Sequence, residues 1–236
     1  MQKDWPPFEI LTEDDDLIAI NKPSGILVHR TTISEDTTFV LQLLRDQIGQ
    51  RIYPVHRLDR GTSGVLLFAK HEQAASLLGE QFRHREVQKT YLAVIRGYVE
   101  ERATIDYPLT SSTGTKPLPS RTHYQRLSQI DYPVAIGRYP SSRLSFVNIQ
   151  PETGRWHQIR RHFSHIRHPI IGDKKHGDVK HNTYFREVLG VGRLLLHASE
   201  LRLRHPLREE FIHIRTDLSP EWIDVMKQID LRQRDL

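Results

Sequence analysis

Asp59 stands between two arginines in Val55-His56-Arg57-Leu58-Asp59-Arg60-Gly61-Thr62-Ser63-Gly64, directly ahead of the apolar run Val65-Leu66-Leu67-Phe68-Ala69. Positive charge near a carboxylate favours its ionised form. An ionised carboxylate can act as nucleophile or base, and flanking arginines suit a polyanionic substrate. The Gly-Thr-Ser-Gly stretch reads as a tight loop where backbone comes close to something, and the run from Val65 reads as a buried strand. A lone Arg-x-Asp-Arg is as compatible with solvated surface ion pairs.

A second group lies in Thr153-Gly154-Arg155-Trp156-His157-Gln158-Ile159-Arg160, which puts two arginines five apart across a turn leading into a helix. Arg160 follows Ile159, close to the apolar face, and is the better candidate to point inward. Tyr91, in Lys89-Thr90-Tyr91-Leu92, reads by itself as a strand aromatic. Arg193-Leu194-Leu195-Leu196-His197-Ala198 reads as core, and Asn21-Lys22-Pro23-Ser24-Gly25 as a turn.

Together these four strings and the ten-residue Asp59 string resemble the catalytic motifs of the pseudouridine synthases, in the branch of the RluA-type ribosomal and transfer RNA enzymes. The resemblance runs from about Phe8 to about Ile214. It implies that Asp59 is the catalytic carboxylate, that Arg160 forms its ion pair, and that Tyr91 stacks on the target uracil. It further implies that Leu195 and Leu196 pack around that uracil, and that the Asn21–Gly25 turn supports the catalytic loop. Arg57 becomes a candidate to fill the space left by an extruded base, and His56, Arg60, Arg155 and His157 are candidate RNA contacts. Stacking of an aromatic on an extruded base is the general habit of base-flipping enzymes. Further strings outside the motif cores, among them Arg45-Asp46-Gln47-Ile48-Gly49-Gln50, Gly137-Arg138-Tyr139-Pro140 and the run from Arg160-Arg161-His162 through His168 to Asp178, resemble a subgroup acting on tRNA at the junction of T stem and acceptor stem. The motifs alone do not separate a tRNA from a ribosomal RNA substrate, and a non-catalytic RNA binder on the same fold is the other alternative.

The chain has 236 residues, 37% hydrophobic and 27% charged, enough for a sizeable core. A net charge of +5 fits a nucleic-acid partner weakly. The absence of cysteine excludes disulfides, Cys-ligated zinc and iron–sulfur clusters. His162, His165 and His168 drift around their helix at this spacing and do not converge on a metal. No phosphate-binding or dinucleotide fingerprint is present, and no metal or cofactor is expected. No apolar segment approaches the length of a membrane span, so a cytoplasmic enzyme acting as a monomer is expected. With the first motif at Asn21 there is no room for an N-terminal S4 domain, so residues 1–236 are expected to form one catalytic domain.

To position these residues the sequence predicts a strand at Leu17–Ile20, a helix over Thr37–Ile48, the strand from Val65 and a helix over Glu72–Arg85. Further strands are expected at Thr90–Ile95 and Leu144–Ile149, a long loop over residues 108–120 and a helix over Arg155–Arg167 with Trp156, Ile159, Phe163 and Ile166 inward. A last helix opens at Ser219-Pro220. Irregular interleaving of strands and helices predicts an α+β fold, a mixed and largely antiparallel central sheet flanked by helices.

Overall fold

The computed structural model describes residues 5–30, 36–111, 114 and 116–230. In chain order the elements are β1 (Ile10–Glu13), β2 (Leu17–Lys22), α1 (Val40–Ile48), β3 (Tyr53–Pro54), β4 (Ser63–Ala69), α2 (Glu72–His84), β5 (Gln88–Arg96) and β6 (Arg102–Asp106). There follow β7 (Leu109–Thr110), β8 (Pro117–Leu118), β9 (Arg121–Tyr132), β10 (Ser142–Pro151), α3 (Gln158–His165), α4 (Val179–Glu187), β11 (Leu196–Arg204), β12 (Phe211–Arg215) and α5 (Pro220–Gln228). The chain divides into two units, one running to Gln88 and including Ala198–Asp217, the other formed by Lys89–His197 and the segment from Leu218.

In the first unit every residue of β4 is buried. Such a strand must be covered on both faces, which explains its unbroken apolar sequence. It pairs antiparallel with β2, from Leu17 opposite Ala69 to Lys22 opposite Gly64, and its other neighbour is β11. β1 and β12 extend the ladders on β2 and β11. Helix α2 lays Ala74 and Leu78 on Leu17, Val65, Leu67, Leu201 and Leu203. The His71 side chain accepts from the Ala74 N–H to start this helix, and Arg85, in left-handed conformation at φ 64°, ends it. Gly64 has φ +112°, and a β-carbon there would lie 2.1 Å from the Ala198 carbonyl oxygen. Only glycine fits that approach.

The second unit is built on the antiparallel order β5-β10-β9-β6. One sheet face carries Ala93, Ile95, Val147 and Ile149 against Ile159 and Phe163 of α3. The other carries Leu92, Val94, Leu144 and Phe146 against Phe185 of α4 and Trp222, Val225 and Met226 of α5. These alternating residues follow from the two-residue period of a strand.

The antiparallel ladders and the helices packed on them give the expected α+β class. The differences are local. The loop expected over 108–120 contains the short ladder β7–β8, with residues 112, 113 and 115 lying outside the described residues. Helix α3 begins at Gln158 rather than Arg155, because His157 takes a left-handed conformation at φ 51° and turns the chain there. Trp156 therefore precedes the helix and is half-buried rather than in the core. Three long elements were not read as strand or helix from the sequence, β9, α4 and β11; the Arg193–Ala198 string at the start of β11 was read only as core, and the reasons for the other two are taken up below.

Candidate active site

The Asp59 loop joins β3 to β4 in the first unit, and hydrogen bonds from the Asn21–Gly25 turn fasten it. Lys22 is fully buried, and its Nζ donates to the carbonyls of Pro23 at 2.9 Å, Arg60 at 3.3 Å and Thr62 at 2.8 Å. A buried ammonium needs such acceptors, and here two of them belong to the loop. Ser24 Oγ donates to the Gly61 carbonyl at 2.7 Å, and the Gly25 N–H to the Arg60 carbonyl at 2.7 Å. Leu58 is buried, and the Thr62 N–H closes a turn on the Asp59 carbonyl. Asp59 itself is half-buried, on backbone pinned at both ends.

The neighbours of Asp59 have different tasks. Arg60 donates through Nε to the Gly25 carbonyl at 3.0 Å and through Nη2 to Asp36 at 3.0 Å, so its guanidinium secures the surrounding loops. His56 Nε2 accepts from the Leu67 N–H at 3.0 Å, and its ring stacks on Phe82 with centroids 4.7 Å apart. That bond places the ring proton on Nδ1, and it makes His56 a loop anchor. Arg57 is exposed and lies close enough to His29 that its charge, after burial, depresses that imidazole's pKa.

The second unit holds Tyr91 and Arg160. Tyr91 on β5 lies opposite Ile149 and packs at the margin of the core that faces α3. Leu196 belongs to the same core, whereas Leu195 is fully buried on the other face, among Leu92, Phe146 and Trp222. The two leucines expected to pack around a uracil thus lie in different cores. Consecutive residues of an extended segment point to opposite faces, so Leu196 shares Tyr91's side and Leu195 is core.

The turn ahead of α3 is fastened by Gln158. Its Oε1 accepts from Thr153 Oγ1 at 2.6 Å and the Arg155 N–H at 3.0 Å, and its Nε2 donates to the Arg121 carbonyl at 2.9 Å and to Thr122 Oγ1 at 3.0 Å. One buried amide thus ties the turn to the start of β9. Arg160 is turned inward, its side chain 11% exposed, and forms a two-point pair with Asp173: Nε to Oδ2 at 2.8 Å and Nη2 to Oδ1 at 2.8 Å. Oδ1 also accepts from the N–H groups of Lys175 and His176. Burial alone would raise the Asp173 pKa, but the Arg160 guanidinium and the His176 and Lys175 N–H groups outweigh it and hold the carboxyl below its ordinary value. Asp173, the partner of Arg160, is a residue that the motif strings did not single out. Its signal in sequence was only its place in the run from Arg160 to Asp178.

The three histidines of α3 and its C-terminal turn have separate partners, as their spacing implied. His162 is fully buried between Thr122 Oγ1 and the Tyr107 carbonyl, at 2.9 Å each. His165 stacks on Tyr107, and His168 Nδ1 donates to the Arg96 carbonyl. Among the described residues one group has metal-ligand geometry, Asp14, Asp16 and His205 in the first unit. Its groups meet one another and two further side chains: His205 Nε2 lies 2.9 Å from Asp14, His71 Nε2 2.9 Å from Asp16, and Arg208 3.4 Å from Asp14. These contacts tie together the turns that join the strands of this unit. A groove of about 490 Å³ lined by Thr104, His123, Gln125, Asn148 and Gln150 lies in the second unit. Asn148 and Gln150 flank Ile149, the residue opposite Tyr91, so the groove opens on the sheet face away from Tyr91. No helix among the described residues is long and apolar enough to cross a membrane.

Residues 16–165, which contain Asp59, Tyr91 and Arg160, match the family model of RNA pseudouridylate synthase. The chain belongs to the RNA pseudouridylate synthase family. It is 48% identical over 232 residues to the tRNA pseudouridine synthase C of Pectobacterium carotovorum subsp. carotovorum, covering 94% of this chain and 62% of that protein. The protein of the same name from Yersinia pestis is 47% identical, with 94% of this chain and 90% of the relative covered. Among solved structures, human RNA pseudouridylate synthase domain containing 1 superposes with a TM-score of 0.72 at 28% identity, covering 91% of this chain and 86% of that one. Human RNA pseudouridylate synthase domain containing 4 gives 0.73 at 25%, covering 94% and 93%. As a family member the chain is a pseudouridine synthase, an isomerase.

Proposed function

We propose that this synthase isomerises a uridine of tRNA, at the junction of the T stem and acceptor stem, to pseudouridine. The observation that carries the substrate is the likeness, over 94% of the chain, to relatives named tRNA pseudouridine synthase C. In the reaction the bond from C1′ to N1 of uracil breaks, the base turns, and a bond from C1′ to C5 forms. The C5 proton leaves and N1 gains one, so atoms and electrons balance without an oxidant or a cofactor. Asp59 is the reacting carboxylate, either as nucleophile at C1′ or as the base that removes the C2′ proton. Both roles require a carboxylate on rigid backbone, and the Lys22, Ser24 and Gly25 hydrogen bonds support that. Arg160 is assigned as the ion-pair partner of Asp59, and its anchorage on Asp173 supports a fixed orientation. Tyr91 stacks on the uracil, Leu196 keeps its surroundings dry, and Arg57 fills the vacated position in the helix. The enzyme works as a cytoplasmic monomer that recognises a compact RNA shape, since double-helical RNA presents mainly phosphates and 2′-hydroxyls.

The test is to incubate the purified protein with unmodified tRNA transcripts and, in parallel, with ribosomal RNA fragments, both labelled with tritium at uridine C5. Tritium release from the tRNA, mapped to the T-stem junction, is the expected result. Release from the ribosomal fragments alone would overturn the tRNA assignment and leave the chemistry at Asp59 standing.

A further inference from the structure

Around Trp156 the second unit gathers Arg155, Arg161 and Lys175, none of which meets a carboxylate among the described residues. The indole stacks on His157 with centroids 4.0 Å apart and 18° between planes. Lys175 Nζ lies 4.5 Å from the indole centroid, and the Arg161 guanidinium carbon 5.8 Å. His157 Nδ1 and His176 Nε2 are 2.9 Å apart, one donating to the other. Burial, and then the charges of Arg160, Lys175 and Arg161, depress the His176 pKa, while Asp173 opposes them. Arg155, next in the chain, has a buried Nε with no hydrogen-bond partner.

Elsewhere in this unit four arginines are matched by acids. Arg96 pairs with Asp178, Arg121 with Asp106 and Glu152, Arg186 with Glu187, and Arg193 with Glu221. Around Trp156 the acid at hand is Asp173, and it is engaged by Arg160. Arg161 instead donates to the carbonyl and hydroxyl oxygens of Thr110. Like charges gathered without acids repel one another, and an anion placed among them would relieve that repulsion.

We propose that Trp156, Arg155, Arg161, Lys175 and His176 form a clamp for the phosphodiester backbone of the substrate RNA. The indole is the platform that aligns the cations through cation–π contact, and the left-handed turn at His157 sets it there. The clamp binds phosphates and does not read bases. This proposal rests on the reading of the chain as an enzyme acting on RNA, and adds the surface that holds the strand.

The test uses the double variant Arg155→Gln/Lys175→Gln, with Lys180→Gln on the exposed face of α4 as control. Melting curves establish that each folds like the parent. Affinity for an unmodified tRNA transcript is measured by filter binding across a salt series, and kcat and KM by tritium release. Each phosphate contact contributes a slope of about −0.7 to −0.9 to log K against log salt. Loss of two should therefore reduce the slope by about 1.4 to 1.8 and raise KM about tenfold or more, with kcat within about twofold. The control should match the parent. An unchanged slope and KM in the double variant would overturn the clamp, and so would a fall in kcat at constant KM. Trp156→Leu should raise KM where Trp156→Phe does not; equal behaviour of the two would remove the indole from the argument. If the parent binds RNA with the expected slope but releases no tritium from any RNA, the catalytic reading fails while the clamp stands.

Discussion

Replacing Asp173 by Asn tests how the arginine of this site is held. The carboxylate is 1% exposed and meets Arg160 at two points, both 2.8 Å. Asn keeps the size of the side chain and keeps one oxygen for the N–H groups of Lys175 and His176. What it removes is the charge and one acceptor, so an amide NH₂ faces a guanidinium N–H. Breaking a buried pair by removing one partner costs about 3–5 kcal/mol, and with Arg160 only 11% exposed little of that is recovered by water. For a chain of this size about 2–4 °C of melting temperature goes with each kcal/mol, so Tm should fall by about 6–20 °C. The same change frees Arg160 to leave its orientation, so kcat in the tritium-release assay should fall more than KM rises. Asp178→Asn is the comparison, because its pair with Arg96 is more exposed and should cost less in Tm and nothing in kcat. The double variant Asp173→Leu/Arg160→Met should cost less than the sum of the single changes, since the two groups act as one unit. An Asp173→Asn protein melting within about 2 °C of the parent with normal turnover would refute the reasoning.

Three further outcomes are expected. Asp59→Asn should lower turnover by about 10⁴-fold or more with RNA affinity retained in filter binding; a near-parental rate would remove Asp59 from the chemistry. Lys22→Met strips the Pro23, Arg60 and Thr62 carbonyls of their common donor; the Arg60 carbonyl keeps the Gly25 N–H, and each buried group left unsatisfied costs about 1–3 kcal/mol. It should lower both Tm and kcat, and a variant as stable and active as the parent would show that the loop needs no such staple. Acid stability follows from groups whose folded pKa lies below the unfolded value: His162 and His176, depressed first by burial, and Asp14, Asp173 and Asp178, whose hydrogen bonds and charge partners outweigh burial. Below about pH 6.5 the unfolded histidines take up protons that the folded ones resist, and below about pH 4 the aspartates follow. Melting temperature should therefore hold above pH 7, decline from about 6.5 downward and drop steeply below 4; a Tm that rises between pH 7 and 5 would contradict the assignments.

Sequence by itself determined the parts of this protein whose chemistry is local. Asp59 in its turn, Tyr91 in a β-branched strand and Arg160 beside an apolar face are legible because the residues that define them are neighbours in the chain. The same holds for β4, whose seven buried residues are consecutive. Two elements with little burial were not legible. β9 buries only Thr122 and Tyr124 and α4 only Phe185, so neither carries an apolar period to read. Tertiary structure alone decided what comes from far along the chain. The loop carbonyls that hold Lys22 come from 38 and 40 residues away, and Asp173 from 13 residues beyond Arg160. Leu195 and Leu196, alike in sequence, were separated by the sheet into opposite cores. The cation cluster at Trp156 depends on a left-handed turn at His157 and on a loop that returns with Lys175 and His176. Composition and periodicity record how much a residue prefers to be buried, whereas the partner it meets is set by how distant backbone segments pack.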